Sequence, residues 1–237
     1  MLEQLQIENV LCLDIETVPQ FPVFEDCPPE LQALWIRKAE FLKKGEQDDA
    51  VTLYGRAGIY AEFGKVICVT TGFLSLREGQ RQFRLKSFAG DDERTLLEEL
   101  AAMFNRLRPG TILCAHNGKE FDFPYLSRRM IIHGINLPSV LNNAGRKPWE
   151  VSFMDTMELW KFGDYKNFTP LNLLAYILGI PSPKDDIDGS RVGQVYWQDH
   201  DLPRIVHYCQ KDVLTVIQIL LRLRNEKLLL EEEVLVT

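Results

Sequence analysis

The sequence has 237 residues, of which 46% are hydrophobic and 26% charged, and its formal net charge is −7 at pH 7. This composition is that of a globular protein with enough apolar residues for a core, and the acidic balance argues against broad non-specific binding of nucleic acid while leaving room for a local site. We expect neither a signal peptide nor a membrane span, because no basic segment precedes an apolar stretch at the start and no run of 18 apolar residues occurs. The five cysteines form no CxxC pair, which predicts free thiols and a cytoplasmic location.

Strands and helices alternate in the first half of the predicted structure. An apolar run at 9–16 predicts a buried strand, and the helical periodicity of 28–45 predicts a helix between the first two strands. The β-branched segment 65–76 predicts a second strand, which turns at Glu78 and Gly79 into a third within 77–88. An amphipathic pattern with acids in its first turn predicts a helix at 91–110.

The second half continues this pattern and ends in a long helix. We predict a strand at 111–118, followed by a helix at 122–134 with Asp122 as its cap. A strand passing into a helix is predicted at 151–160, a helix at 169–180 and a polar loop at 181–197. The last element is a predicted helix at 201–229, with Asp201 as its cap and Pro203 in its first turn. Together these elements predict one α/β domain over 1–237, with a central mixed sheet flanked by helices and a helical insertion at about 28–45.

Four carboxylates lie where separate elements would bring them together. Asp14 and Glu16 project from one face of the first strand, near its carboxyl end, and Asp122 starts a helix directly after another strand. Asp212 lies among apolar residues of the last helix, where an acid needs a partner. An isolated DIE would favour a solvated strand end, but four converging carboxylates favour a site for two divalent cations, Mg²⁺ or Mn²⁺.

Three segments, "LCLDIETVP", "AHNGKEFDFPYL" and "HYCQKDVLT", resemble the three motifs of the DEDD superfamily of 3′→5′ exonucleases. They are most similar to the proofreading domain of family-B DNA polymerases and its stand-alone bacterial relatives. The resemblance implies an RNase H-like fold and metal binding by Asp14, Glu16, Asp122 and Asp212. It also implies that Asn117 contacts substrate or a metal-bound water. Asp155 matches a further acidic position of the polymerase domains, although a helix-cap role fits it equally well.

The expected reaction is hydrolysis of terminal phosphodiesters at single-stranded or frayed 3′ ends of DNA, releasing nucleoside 5′-monophosphates by a two-metal mechanism. Thr17, Asn117, Phe121 and Phe123 are the candidate substrate contacts, although for most of the aromatic side chains near Asp122, including Tyr125, a place in the core is favoured over a stacking role. The cations that could contact phosphate, or be simply solvated, are Lys119, Arg128, Arg129, Lys184 and Arg191. The loop 181–197 is long enough to close over a strand end.

His207 and Tyr208 are alternative partners of Asp212, because the superfamily divides into H-x4-D and Y-x3-D branches and this chain satisfies both spacings. On a helix, Tyr208 lies about 40° around the axis from Asp212 and His207 about 140°. The helix capped by Asp201 includes both residues, so we predict that Tyr208 orients the attacking water. Two other functions remain open at this point: a 3′→5′ exoribonuclease, and a catalytically silent nucleic-acid-binding domain.

Overall fold

The computed structural model describes residues 2–164, 166–181 and 187–237, and its central feature is a six-stranded mixed sheet. The sheet order is β5-β4-β1-β2-β3-β6. The strands are β1 Val10–Pro19, β2 Gly64–Arg77, β3 Gln80–Ala89, β4 Ile112–Ala115, β5 Met154–Asp155 and β6 Val234–Val236. β1, β2 and β3 pair antiparallel, whereas β4 pairs parallel to β1 and to β5, and β6 parallel to β3. The predicted mixed sheet is confirmed.

Seven α-helices in the described residues cover the two faces of the sheet. They are α1 Pro29–Glu40, α2 Glu93–Phe104, α3 Asp122–Ile132, α4 Thr156–Lys161, α5 Leu171–Ile177, α6 Val192–Trp197 and α7 Leu202–Leu223. No helix among the described residues is long and apolar enough to cross a membrane.

The alternation of side chains along β1 decides which residues reach the site. Leu11, Leu13 and Ile15 pack on one face of the sheet in a core shared with α2 and α3. Val10 and Cys12 pack on the other face against α7. Because side chains alternate along a strand, Asp14 and Glu16 follow Cys12 onto the face covered by α7. Burying each aliphatic side chain contributes roughly 1.5–3 kcal/mol, which fixes this register.

The predicted turn and helix cap are present where the sequence placed them. Glu78 and Gly79 have φ angles of 52° and 80° between β2 and β3, the left-handed pair of a two-residue hairpin turn. Asp201 caps α7 by accepting a hydrogen bond from the Arg204 amide at 3.2 Å. The cap starts the helix about three turns before Asp212, so the residues around Asp212 have helical geometry.

The segment between β1 and β2, residues 20–63, is larger than the predicted insertion and is called the insertion from here on. It has its own small core around Trp35. The Trp35 indole is fully buried and donates to the Ala50 carbonyl at 2.7 Å. A short 3₁₀ helix, Tyr54–Ile59, packs from this core onto β1, where a Cβ on Gly58 would come within 3.0 Å of the Val18 backbone. The absence of a side chain at Gly58 therefore lets the insertion lie directly against the strand that carries Asp14.

Several predicted boundaries are wrong. The loop predicted at 181–197 becomes helical at α6, and Lys184 lies outside the described residues. The predicted 28–45 helix ends at Glu40, and β1 extends beyond Glu16 to Pro19. Asp122 is the first residue of α3 rather than its cap, because Phe121 takes the capping position. The strand β6 was not predicted.

Candidate active site

A cleft of about 760 Å³ lies beside β1, and the four predicted carboxylates all line it. Asp14 and Glu16 come from β1, Asp122 from the start of α3 and Asp212 from the middle of α7. Three elements distant in sequence therefore bring four acids to one place. Tyr208, Asn117, Thr17 and Phe121 also line the cleft.

The carboxylates lie close together, with Glu16 and Asp122 buried and Asp14 and Asp212 partly exposed. Burial raises the pKa of Asp14 well above its usual range, and the negative charges of Asp122, Glu16 and Asp212 raise it further. Burial and the charge of Asp212 also raise the pKa of Glu16. Burial, reinforced by the charge of Asp155, raises the pKa of Asp122 to about 7. Buried acids that repel each other are unfavourable unless positive charge is brought between them.

Two buried oxygen atoms at the site have no hydrogen-bond partner. They are Oδ1 of Asp122 and Oδ1 of Asn117. Leaving a buried acceptor unsatisfied costs about 1–3 kcal/mol, so such atoms usually mark a place where a ligand or ion binds. Carboxylate and amide oxygens are the ligands that hard divalent cations prefer, and the site therefore fits Mg²⁺ or Mn²⁺.

A buried thiol contacts the first carboxylate. Sγ of Cys209 lies 3.5 Å from Oδ2 of Asp14 and 3.4 Å from its backbone oxygen. Burial raises the pKa of Cys209 well above its usual value, so the thiol is neutral and donates to Asp14. The sulfur and oxygens of Cys209, Asp14 and Glu16 all lie within 4.8 Å of one another. All five cysteines are free and buried, as the composition predicted.

Tyr208 faces the cleft and His207 does not. Tyr208 is partly buried, and its hydroxyl hydrogen-bonds to the carboxylate of Asp212. Burial and the charges of Asp212, Glu16 and Asp14 raise the pKa of Tyr208 well above its usual value. His207, one residue earlier, is exposed. The arrangement follows the helical geometry, in which side chains four residues apart are neighbours.

Asn117 is held in place by Asp155. Asn117 has a left-handed backbone with φ of 64°, and its amide donates to Oδ1 of Asp155 at 2.9 Å. The other oxygen of Asp155 accepts from the Lys119 amide at 3.1 Å. The same carboxylate caps α4 through the amides of Met157 and Glu158. Asp155 thus has the cap role, and it positions the turn that carries Asn117 into the cleft.

The insertion contributes a wall of the cleft that sequence reasoning did not identify. Arg56, Gly58 and Ile59 of the 3₁₀ helix line the cleft, together with Val23. Arg56 is exposed and carries the only full positive charge among the described lining residues. The flanking glycines of "YGRAGIY" could have indicated a close approach to another element. Nothing in that segment indicated which strand it would meet.

Two of the predicted aromatic contacts lie elsewhere. Phe123 is fully buried with its ring centroid 4.1 Å from that of Phe153, so it belongs to the core and offers no stacking face in the cleft. Tyr125 is also buried, and its hydroxyl donates to the Gly58 carbonyl at 2.8 Å, which ties α3 to the insertion. Phe121 lines the cleft.

The predicted phosphate-binding cations are scattered. Arg129 of α3 is buried and forms an ion pair with Glu93 of α2, so its guanidinium is not available to a substrate. Lys119 pairs with Glu158 at 2.6 Å. Arg128 is exposed beside a different cavity, and Arg191 is exposed at the start of α6. Within the segment predicted as a loop at 181–197, Gly189, Ser190 and residues of α6 line the cleft.

A mixed sheet with this strand order, bearing a carboxylate cleft between β1, α3 and α7, defines an α/β protein of RNase H-like architecture. A family model described as a predicted 3′-5′ exonuclease related to the exonuclease domain of PolB matches residues 60–235, and the chain belongs to that family. The match includes Asn117, Asp122, Tyr208 and Asp212, and begins after Asp14 and Glu16.

A solved structure is similar in fold. The family B DNA polymerase from the hyperthermophilic archaeon Pyrobaculum calidifontis matches with a TM-score of 0.53 and 16% identity, over 88% of this chain and 23% of that chain. The chain thus spans about a quarter of the polymerase, and at this identity the likeness concerns the fold alone. A comparison with curated proteins finds no significant match.

Proposed function

We propose that this protein hydrolyses the terminal phosphodiester at the 3′ end of DNA, single-stranded or frayed, and releases a nucleoside 5′-monophosphate. The observation that carries the proposal is the convergence of Asp14, Glu16, Asp122 and Asp212 on one cleft beside Tyr208. Membership of a family of predicted 3′-5′ exonucleases supports the same reaction. A silent binding domain would have no need of four mutually repelling carboxylates, of which Glu16 and Asp122 are buried.

The four carboxylates are the proposed ligands of two divalent cations, Mg²⁺ or Mn²⁺. Bound between them, such cations would offset the repulsion that raises the pKa values of these acids. Two-cation sites supply an activated water and neutralise charge on the attacking and leaving oxygens of an in-line displacement. The unpartnered Oδ1 of Asp122 is the atom whose chemistry fits this role most directly.

Tyr208 is proposed to orient the attacking water. Its hydroxyl donates to Asp212, which leaves the lone pairs of the phenol oxygen able to accept a hydrogen bond from water in the cleft. With its pKa raised, the phenol stays protonated at neutral pH and acts by positioning rather than as a base. The water oxygen bonds to phosphorus, its proton passes to solvent, and the 3′ oxygen leaves and takes up a proton. Asn117 offers its free Oδ1 to the substrate or to a water.

The substrate strand is proposed to lie between β1 and the insertion. Arg56 carries the only full positive charge among the described residues that line the cleft, and is the proposed contact for a backbone phosphate. Phe121 is the proposed stacking surface for a base, and Thr17 lines the floor beside Glu16. Ile59 is 49% exposed at the rim, where an apolar side chain would separate the terminal base from its neighbour.

DNA is preferred over RNA because the family is described as related to the exonuclease domain of PolB. The test uses 5′-labelled DNA and RNA single strands of the same sequence with Mg²⁺ or Mn²⁺, and Asp14→Ala as the control. Stepwise shortening of DNA that the control lacks supports the proposal. Shortening of RNA alone would make the protein an exoribonuclease, and no shortening of either strand would contradict the function.

A further inference from the structure

A second cavity, of about 580 Å³, lies away from the carboxylates, beside the start of β1 and the second half of β2. Its lining includes Leu11 of β1 and its sheet partner Phe73 of β2. Leu11 packs with the α2–α3 core, and Asp14 lies three residues later on the opposite face, roughly 10 Å along the strand. The cavity is therefore separate from the proposed active site.

Positive charge is concentrated in this cavity. Four arginines line it, from β2, β3 and the segment after α2: Arg77, Arg84, Arg106 and Arg108. The only acid in its described lining is Glu8. In a chain with a net charge of −7, four arginines around one cavity with a single acid are unusual, because like charges repel each other. The cavity thus has the character of an anion site.

The fold makes little use of these guanidinium groups. Among the described residues, no ion pair or side-chain hydrogen bond engages Arg77, Arg106 or Arg108, which are all exposed. Arg84 is half-buried, and one Nη donates to Gln82 at 3.3 Å. Its Nε is buried and has no partner. A buried N–H of a charged group left unsatisfied points to a missing acceptor.

The cavity also offers an aromatic surface. The Phe73 side chain is 41% exposed, lines the cavity and belongs to the residue directly opposite Arg84 in the β2–β3 pair. Guanidinium forks bind phosphate oxygens in pairs, and an aromatic ring stacks a base, so the two together fit a nucleic-acid strand better than a simple anion. An acidic peptide would use the charges but would leave Phe73 without a stacking partner.

We propose that this arginine-lined cavity is a second nucleic-acid site. It binds the phosphodiester backbone of a single strand whose 3′ end is hydrolysed in the carboxylate cleft. The choice of nucleic acid over another polyanion rests on the proposed function. The arginine side chains of this cavity would hold the strand through its phosphate charges, without reading the bases. The site would increase affinity for long strands and leave the handling of very short ones unchanged.

The test compares two variants of equal charge change. Arg106→Gln with Arg108→Gln removes two exposed guanidiniums of the cavity, and Arg37→Gln with Lys44→Gln removes two exposed cations of the segment between β1 and β2, from which no described residue lines the cavity. Binding of a fluorescent 20-nucleotide single strand is measured in EDTA by anisotropy at several salt concentrations. The cavity variant is expected to bind several-fold more weakly. The slope of the logarithm of its binding constant against the logarithm of the salt concentration should become shallower by about 1.4, at roughly 0.7 for each lost phosphate contact. The control variant is expected to match the wild type.

Equal affinities and slopes in the two variants would overturn the proposal. A labelled poly-glutamate of similar length is the second probe, and binding as tight as that of the oligonucleotide, lost in the same variant, would also overturn it in favour of a protein partner. Cleavage of a dinucleotide in Mg²⁺ tests the active site separately, because so short a substrate does not reach the cavity. Its failure would contradict the exonuclease function while leaving the binding result intact.

Discussion

The hydroxyl of Tyr208 hydrogen-bonds to the carboxylate of Asp212 one helical turn away, while the side chain of His207 is exposed to solvent. Both spacings are present in "VHYCQKD", and the helix capped by Asp201 decides between them. The phenol is thereby held at the edge of the carboxylate cluster, where it can orient a water without changing its own protonation state.

Replacing Tyr208 by Phe removes the hydroxyl and keeps the ring that packs beside α6. We expect kcat to fall by roughly 10–100-fold, because the attacking water loses one positioning contact, with little change in KM. His207→Ala is the matched control and is expected to keep wild-type activity, since His207 is exposed. Loss of activity in His207→Ala with full activity in Tyr208→Phe would reverse the assignment.

Arg56→Gln is expected to weaken substrate binding. A hydrogen bond to a charged group contributes about 1.5–3 kcal/mol, so KM should rise by roughly 10–100-fold with kcat nearly unchanged. Arg37→Gln, on the exposed side of α1 in the same insertion, is the control and should leave both constants unaltered. Steady-state kinetics on a single-stranded oligonucleotide check this. A wild-type KM in Arg56→Gln would remove the insertion wall from the substrate path.

Neutralising a carboxylate of the cleft is expected to stabilise the protein when divalent cations are absent. Asp122 is 3% exposed and lies among other acids, so Asp122→Asn relieves repulsion and raises the melting temperature in EDTA. A saturating cation at 100 times its Kd should stabilise the wild type by about 2.7 kcal/mol and the variant by less. Glu99→Gln, an exposed acid on α2, is the control. An identical Mg²⁺ response in Asp122→Asn and wild type would argue against this carboxylate as a ligand.

The buried pair of Glu93 and Arg129 predicts sensitivity to acid. Burial acts to raise the pKa of Glu93, but hydrogen bonds from Arg129 at 2.8 Å, the Val66 amide and His133 hold it below its usual value. A lowered carboxyl pKa contributes stability that is present above the unfolded value of about 4.3 and lost as the pH falls through the lower folded value. Unfolding free energy should therefore decrease below about pH 4.

Glu93→Gln tests this by denaturant unfolding between pH 3 and 7. The variant should lose about 3–5 kcal/mol at neutral pH, because Arg129 is left buried without its counter-charge, and its stability should vary less with pH in the acid range. Glu98→Gln, which breaks only an exposed pair with Arg94 on the same helix, should cost less than about 1 kcal/mol. Equal losses in the two variants would contradict the account.

Local signals in the sequence predicted the elements that carry the site. The DIE pair, the acid after β4 and the capped last helix placed Asp14, Glu16, Asp122 and Asp212 on elements that meet in the structure. The hairpin at Glu78 and Gly79 was predictable because its turn needs two residues with positive φ.

Features that depend on tertiary packing were not predictable. Arg129 has the sequence context of an exposed helix cation, and only the approach of α2 with Glu93 makes it a core residue. Phe123 is buried because Phe153, from a distant segment, packs on it. The role of Arg56 depends on the contact of Gly58 with the Val18 backbone. The strand β6 is three residues long and is defined by its pairing with β3 rather than by its own pattern.

The most direct test of the central claim follows the products from a 5′-labelled DNA single strand with a free 3′ hydroxyl in Mg²⁺. Wild-type protein is expected to produce a ladder that shortens one nucleotide at a time from the 3′ end, with nucleoside 5′-monophosphates as the released product. EDTA, and separately Asp14→Asn with its fold intact, should abolish the ladder. Internal cleavage, shortening from the 5′ end, or an undiminished ladder in Asp14→Asn would contradict the account.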